Sequence, residues 1–324
     1  MPNLSKRRFL QYTAAASAVL ALSACGGGDS NDADIVERLA ADPQFSLLVE
    51  AVQAAGLVET LQSAGPFTVF APTNDAFVAL LGEVGLSKEA VFGNTALLTT
   101  ILTYHVLAGE VPSRDVPRGT NIETVQGENI VVNRGDSTLV ITDARGRTSN
   151  ITFTNIDTSN GVIHRVDRVI LPLSLPQLNI VQAARVTPSL SILVEAVVAA
   201  GLGATLSSPG PFTVFAPTND AFASLLTELG VTKAQLLANT ELLTTVLTYH
   251  VLSGEVRAAD IPFSGGEVEV NSVEGRPFTI IEEPLSIDDG AAERDNANII
   301  LTDVLASNGV VHVIDKVILP GAEV

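Results

Sequence analysis

Between Asp34 and Gly56 apolar residues fall three and four apart: Ile35 and Leu39, then Leu47, Leu48, Ala51, Val52 and Ala55. That spacing predicts two short amphipathic helices, parted near Pro43 and ended at Gly56. Phe67 to Ala71 is a run of β-formers entered through Gly65-Pro66 and stopped by Pro72, so a strand is expected there. Thr73 then stands where a helix N-cap belongs. Asn74 and Asp75 follow, putting a carboxylate into the first turn of a helix that runs through Phe77, Leu80 and Leu81. Leu97, Leu98, Ile101, Leu102, Tyr104 and His105 predict a longer helix, apolar on most of its circumference and closing near Gly109. From Asn121 to Pro172 the pattern shortens to hairpin strands such as Ile130-Val131-Val132, Leu139-Val140-Ile141 and Ile151-Thr152-Phe153. A last alternating run, Val162 to Ile170, starts at the Asn160-Gly161 turn. Helices first and strands later predict an α+β domain.

The whole pattern is then written again. Gly65 to Phe77 recurs letter for letter from Gly210 to Phe222, an offset of 145. The same offset carries Ser46–Val52 onto Ser191–Val197 and Leu102–Leu107 onto Leu247–Leu252. Asn160-Gly161-Val162-Ile163-His164 returns as Asn308-Gly309-Val310-Val311-His312 at an offset of 148. Thr218, Asn219 and Asp220 repeat the cap and first turn of Thr73, Asn74 and Asp75. A period this long is a domain and not a solenoid unit. Two domains are expected, over 35–172 and 178–320, joined by a proline-bounded linker at 173–177 that restricts their relative orientation.

Ahead of the first domain, Lys6-Arg7-Arg8 and an apolar run from Tyr12 to Leu22 read as an export signal over 1–24. Leu22-Ser23-Ala24-Cys25 resembles a bacterial lipobox. That resemblance implies cleavage before Cys25, the chain's one cysteine, and lipidation of its thiol, with 25–34 as a flexible tether. Gly26 after the cysteine then implies sorting to the outer membrane. Ser5 to Gln11 also resembles a twin-arginine motif, which leaves the export route open between that and general secretion. The apolar run is too short to span a bilayer, so attachment is expected through the lipid alone.

Charge narrows the partners further. The formal net charge is −18, and it becomes −21 once Lys6, Arg7 and Arg8 leave with the signal. Phosphate backbones and anionic membrane surfaces are disfavoured, since no basic cluster interrupts the acidity. After Cys25 no cysteine remains for a disulfide, a thiolate nucleophile or a cysteine metal site.

Three ordered motifs, each present twice, carry a specific resemblance: FTVFAPTNDAF, TYHVL, and NGVIHRVDRVILP with its second copy NGVVHVIDKVILP. In that order they resemble the fasciclin domain over nearly the whole chain after the signal. The resemblance implies a wedge of β-strands beside a cluster of helices, in secreted or surface-anchored proteins. In animals such domains mediate cell adhesion, and bacterial members are linked to surface association or symbiosis. It also implies adhesive residues: a Tyr-His pair flanked by branched aliphatics, matched by Tyr104-His105 and Tyr249-His250, and an Asp-Ile pair shortly before the Asn-Gly turn. At the second place the chain has Asn155-Ile156 in domain 1 and Asp303-Val304 in domain 2, a departure that weighs against an integrin partner.

The remaining polar residues have plainer readings. His105, His164, His250 and His312 are all the histidines of the chain, and no two have the close spacing of a metal site on one element. They are read as hydrogen-bonded core residues, and if His105 meets His164 the pair would cross-link the long helix to the last strand. Asp75 and Asp220 are accounted for by capping and the helix dipole. The acidic stretch from Glu282 to Glu293 lacks the alternating ligands of a calcium loop and reads as solvated. No nucleophile elbow, phosphate loop or His-Glu-x-x-His is present, so no catalysis, metal or cofactor is expected. The expected function is non-catalytic adhesion to a protein or matrix partner. The alternative is the carriage of a hydrophobic small molecule, such as a carotenoid or lipid, on the apolar faces.

Overall fold

The computed structural model describes residues 33–321 apart from 117–118, 135–138 and 292–293. The export signal, Cys25 and the tether up to residue 32 lie outside the described residues. Ala33 and Asp34 already belong to the fold, because Asp34 caps the first helix in a reciprocal box with Glu37. The chain divides into two compact units between Leu173 and Ser174.

The first unit begins with α1 (Ile35–Ala40), α2 (Ser46–Ala54) and α3 (Val58–Leu61), with a 3-10 turn at Pro43–Phe45 separating α1 from α2. Strand β1 (Phe67–Pro72) is followed by α4 (Asn74–Val84), α5 (Lys88–Phe92) and α6 (Thr95–Tyr104). Six more strands complete it: β2 (Val106–Ala108), β3 (Asn121–Glu123), β4 (Asn129–Arg134), β5 (Leu139–Thr142), β6 (Thr148–Thr158) and β7 (Gly161–Val166). They form one seven-stranded sheet in the order β2-β1-β7-β6-β5-β4-β3. The α+β class is as the residue pattern implies.

The second unit repeats this plan. Its helices are α7 (Ile180–Arg185), α8 (Ser191–Ala199), α9 (Gly203–Leu206), α10 (Asn219–Leu229), α11 (Lys233–Ala238) and α12 (Thr240–Tyr249), with β8 (Phe212–Pro217) between α9 and α10. After α12 come β9 (Val251–Ser253), β10 (Glu267–Asn271), β11 (Pro277–Ile281), β12 (Ser286–Asp288), β13 (Ala297–Ala306) and β14 (Gly309–Ile314), in the sheet order β10-β11-β12-β13-β14-β8-β9.

One pairing explains why two distant motifs are repeated so closely. Strand β1 runs parallel to β7 from Phe67↔Gly161 to Pro72↔Val166, so the start and the end of the unit meet in mid-sheet. Both strands are almost wholly buried, as expected of a parallel pair covered on both faces. At the entry to this pair the backbones nearly touch. A Cβ on Gly161 would overlap the carbonyl oxygen of Phe67, and one on Gly65 would overlap that of Asn160. Gly309 and Gly210 stand in the same relation to Phe212 and Asn308. Only glycine permits such an approach.

Asn160 completes the junction. Its Nδ2 donates to the carbonyls of Leu61 and Ser63, and its Oδ1 accepts the N–H of Ile35 at the start of α1. Asn308 makes the equivalent bonds to Leu206, Ser208 and Ile180. The helical layer is thereby tied to the sheet through one side chain in each unit.

The helix expected to close near Gly109 ends earlier, at Tyr104. Val106–Ala108 instead form β2, antiparallel to β1 with Val69 opposite Val106. β-Branched Val106 and the apolar Leu107 gain more by covering the buried β1 than by a further helical turn.

Candidate interaction site

The residues expected to face a partner are inside the protein. Tyr104 is 0% exposed and Tyr249 1%. The Tyr104 hydroxyl donates to the carbonyl of Asn129 at 2.8 Å and accepts the N–H of Ala144 at 3.0 Å. Tyr249 donates to the carbonyl of Pro277 at 2.8 Å. Burial pushes both phenols up, Tyr249 to about 12. His105 and His250, beside them, are also buried. All four are corrected from contact residues to core residues, because a side chain sealed between a helix end and a sheet presents nothing to a partner.

Each histidine is held by backbone on both ring nitrogens. His105 Nδ1 lies 2.8 Å from the carbonyl of Ile101, and its Nε2 accepts the N–H of Ile170 at 3.1 Å. His250 repeats this with Val246 and Ile318. His164 accepts the N–H of Asn155 and faces the carbonyl of Val111, while its ring stacks on Phe70 at 5.8 Å. His312 does the same with Asp303, Val256 and Phe215. Desolvation lowers all four pKa values, those of His105 and His250 to about 4. The expected cross-link between His105 and His164 does not form. Each ring bonds backbone alone, His105 at Ile101 and Ile170 and His164 at Asn155 and Val111, so the unit has two separate latches.

Asn155 and Asp303 occupy one structural position, and their difference in type loses its significance there. Both have positive φ, 56° and 58°, at an irregularity in β6 or β13 where Asn and Asp are the tolerated side-chain-bearing residues. Asn155 Oδ1 accepts the N–H of Ser113, and Asp303 Oδ1 accepts that of Ala258. Val304, which follows, is buried. The pair anchors the loop after β2 or β9.

The Thr-Asn-Asp motif is equally structural. Thr73 Oγ1 accepts from the N–H of Ala76, and Thr218 does so from Ala221. Asn74 reaches across to α2, accepting the N–H of Leu47 at 2.9 Å and donating to the carbonyl of Pro43. Since α2 has no side-chain cap of its own, Asn74 satisfies one of its orphan donors from outside. Asn219 does this for α8 through Ile192 and Pro188. Asp75 and Asp220 are exposed in the first turns of α4 and α10.

Among the described residues no three His, Cys, Asp or Glu side chains are grouped to hold a metal, and no helix is long and apolar enough to cross a membrane. Two small apolar voids lie in the helical layers, about 10 Å³ beside His105 and about 30 Å³ beside His250. Neither can hold a small-molecule ligand, for which roughly 300–1,000 Å³ is typical.

One concavity of another size lies on domain 1, a half-open groove of about 520 Å³ between α1 with its following turn and the strands β6 and β7. Its floor is apolar, made of Leu39, Phe45, Ile156 and Ile163. Its rim carries Arg38, Asp42, Phe153 and Arg165. Phe153 is 55% exposed, and the Arg165 guanidinium lies over its ring at 5.6 Å. Arg165 spans the groove walls, donating from Nε to Thr152 Oγ1 and from Nη1 to Gln44 Oε1. Asp42 accepts the N–H of Gln44. Neither Arg38 nor Arg165 has a carboxylate within 4.0 Å among the described residues, whereas nine other basic side chains do.

Reading motifs for chemistry missed this groove, because Arg38 and Phe153 lie in no shared motif and Arg165, though inside NGVIHRVDRVILP, is not repeated in the second copy. Comparing the copies would have found it: Arg38, Phe153 and Arg165 correspond to Ala183, Leu301 and Val313 in domain 2. The cations and the aromatic lip are particular to domain 1.

Comparison with known proteins returns one consistent family. The model of the Fasciclin domain matches residues 43–172 and again 188–320. Protein sll1483 of Synechocystis sp. is 46% identical over 139 residues, covering 43% of this chain and 73% of that protein. Transforming growth factor-beta-induced protein ig-h3 of Sus scrofa is 29% identical over 264 residues, covering 80% of this chain and 35% of its own length. Periostin of Homo sapiens is 26% identical over 285 residues, with 86% and 30% covered. This chain therefore spans about a third of those two animal proteins. A solved FAS1 domain pair from the insect cell adhesion molecule Fasciclin I aligns with 83% of this chain and 95% of that chain, at 17% identity and a TM-score of 0.46.

Proposed function

Because the chain belongs to the Fasciclin domain family, with a matched segment in each of its two units, we propose that it is a non-catalytic interaction module that attaches the cell envelope to an external partner. One observation carries this reading. The polar residues shared by the two copies, which would be the first candidates for chemistry, are engaged in holding the fold. Both ring nitrogens of every histidine face a backbone group, so none is open to take a proton from a substrate or to bind a metal. What the units offer to the outside is shape and surface charge, the means of a binding protein.

The sequence ahead of residue 33 supports an exported, lipid-anchored module. Its charged and apolar regions suit export, and Cys25 stands where a lipobox places the acylated residue. A lipid on Cys25 would hold the two domains off the outer membrane on a short tether, facing whatever the envelope meets. The partner is a protein or matrix component; an anion such as nucleic acid is disfavoured by the charge of −18.

The test is attachment of cells to matrix-coated and abiotic surfaces, with the gene deleted, restored, or restored as Cys25→Ala. Attachment lost on deletion, regained with the wild type and not with Cys25→Ala, supports an anchored adhesion module. Attachment unchanged by deletion rejects it.

A further inference from the structure

We propose that the groove on domain 1 is a docking site for a protein segment in which acidic and large apolar side chains alternate. The inference rests on the reading of the chain as an interaction module and names the partner chemistry for one of its surfaces.

The argument begins with charge. In a chain of net charge −18 nine basic side chains among the described residues have a carboxylate within 4.0 Å, and the two on the groove rim do not. Arg165 uses Nε and Nη1 on neutral oxygens, which fixes the guanidinium across the groove and leaves Nη2 without a side-chain bond among the described residues. Arg38 makes no side-chain hydrogen bond among the described residues. Two guanidinium groups against the single carboxylate of Asp42, itself occupied by the N–H of Gln44, make a locally cationic rim on an acidic protein. Carboxylates suit such a rim, since the guanidinium fork takes them with two parallel bonds.

The floor selects what accompanies the carboxylates. Leu39, Phe45, Ile156 and Ile163 offer no hydrogen bond, and Phe153 is an exposed ring at the lip. A sugar laid there would leave hydroxyls unpaired, which is costly. A leucine or phenylalanine side chain would lose only its contact with water. An occupant with both features on alternate positions is an extended peptide, whose side chains point to opposite sides in turn. The groove is half open, as a passing chain requires.

The experiment measures binding of the fluorescein-labelled hexapeptide DLDFDL to the full chain by anisotropy, with KLKFKL, a uronic-acid trisaccharide and laurate as competitors. Saturable binding of DLDFDL is expected. Competition by unlabelled DLDFDL alone is expected, with a loss of about tenfold or more in Arg38→Glu and in the double variant Arg38→Gln with Arg165→Gln. Phe153→Ser should weaken binding as well. Arg38 makes no side-chain hydrogen bond or ion pair among the described residues, so a melting temperature measured on Arg38→Glu beside the double Gln variant separates lost binding from the helix-dipole cost of the new carboxylate. No saturable binding, or binding indifferent to Arg38→Glu, overturns the proposal. So does displacement by the trisaccharide or laurate, which would assign the groove to a carbohydrate or to an amphiphile. Failure here with attachment still dependent on the gene removes the groove alone, whereas attachment independent of the gene removes the module reading whatever the peptide does.

Discussion

The ring of His105 joins the end of α6 to Ile170, 65 positions downstream: Nε2 accepts the N–H of Ile170 at 3.1 Å. That N–H can only donate, so Nε2 carries no proton and Nδ1–H must point at the carbonyl of Ile101. One neutral tautomer is selected. A second proton would set two donors against each other in a fully buried site, and desolvation accordingly holds the pKa at about 4. His250 and Ile318 reproduce the arrangement in the second unit.

Acid sensitivity follows from this pairing. The unfolded ring takes a proton near pH 6.5 and the folded ring only near 4, so on acidification the unfolded state binds protons first. Stability contributed by these rings is full above pH 6.5, falls as pH drops through the window, and levels off below 4. The loss by pH 4 is on the order of 3 kcal/mol in each unit. His164 and His312, lowered in the same direction, steepen the fall. Urea titrations at pH 7, 5.5 and 4.5 check it. Equal midpoints at all three, or an unchanged slope in His105→Gln for the first unit, would contradict the assignment.

The glycines at the β1–β7 entry give a sharper contrast. Gly161→Ala forces a methyl group into the carbonyl of Phe67, and the strands must part to admit it. A loss of about 3 kcal/mol or more is expected, with the first unit unfolding well before the second in a thermal scan. Gly82, in α4, has open space around its Cα, and Gly82→Ala should stabilise by about 0.5–1 kcal/mol. Similar melting curves for the two variants would show that the close approach is not rigid.

Much of this architecture was legible before any coordinates. The strand at Phe67, the cap at Thr73 and the turn at Asn160-Gly161 rest on local physics: β-branched runs, an N-cap oxygen, a glycine where backbones turn. The site was not legible, and for a physical reason. Tyr104 and His105 look equally suited to a surface and to a core, since each has an apolar body with a polar tip. The outcome depends on whether a carbonyl such as that of Asn129 waits beyond the tip, a contact 25 positions away. Conversely, Arg38 and Arg165 lie 127 positions apart, and no local pattern joins them.

Asn155 and Asp303 can be exchanged if the bulge reading is right. Asn155→Asp keeps the left-handed backbone and the Oδ acceptor for the N–H of Ser113, so a change within about 0.5 kcal/mol is expected. Asn155→Ala keeps neither and should cost about 1–2 kcal/mol. Chemical denaturation of the three proteins decides it. An Asn155→Ala variant as stable as the parent would remove the structural role assigned here.

The two tyrosines provide a spectroscopic measure of the same burial. If the proposed export signal over 1–24 is removed, Tyr12 goes with it and Tyr104 and Tyr249 are the tyrosine chromophores that remain. Both hydroxyls donate to backbone carbonyls in a desolvated setting, and ionisation would lose that bond and bury a charge. Their pKa values are raised from 10, that of Tyr249 to about 12 and that of Tyr104 further. The folded protein should therefore show no phenolate absorbance at pH 10.5, where free tyrosine is more than half ionised. The unfolded chain binds fewer protons above pH 10, so stability from these groups is full below that pH and declines as pH rises beyond it. When absorbance does appear it should appear with loss of the fold, both signals sharing one midpoint. A phenolate signal growing from pH 9 to 11 at constant circular dichroism would mean that at least one tyrosine is reachable from solvent, and would return the Tyr-His pairs to the surface.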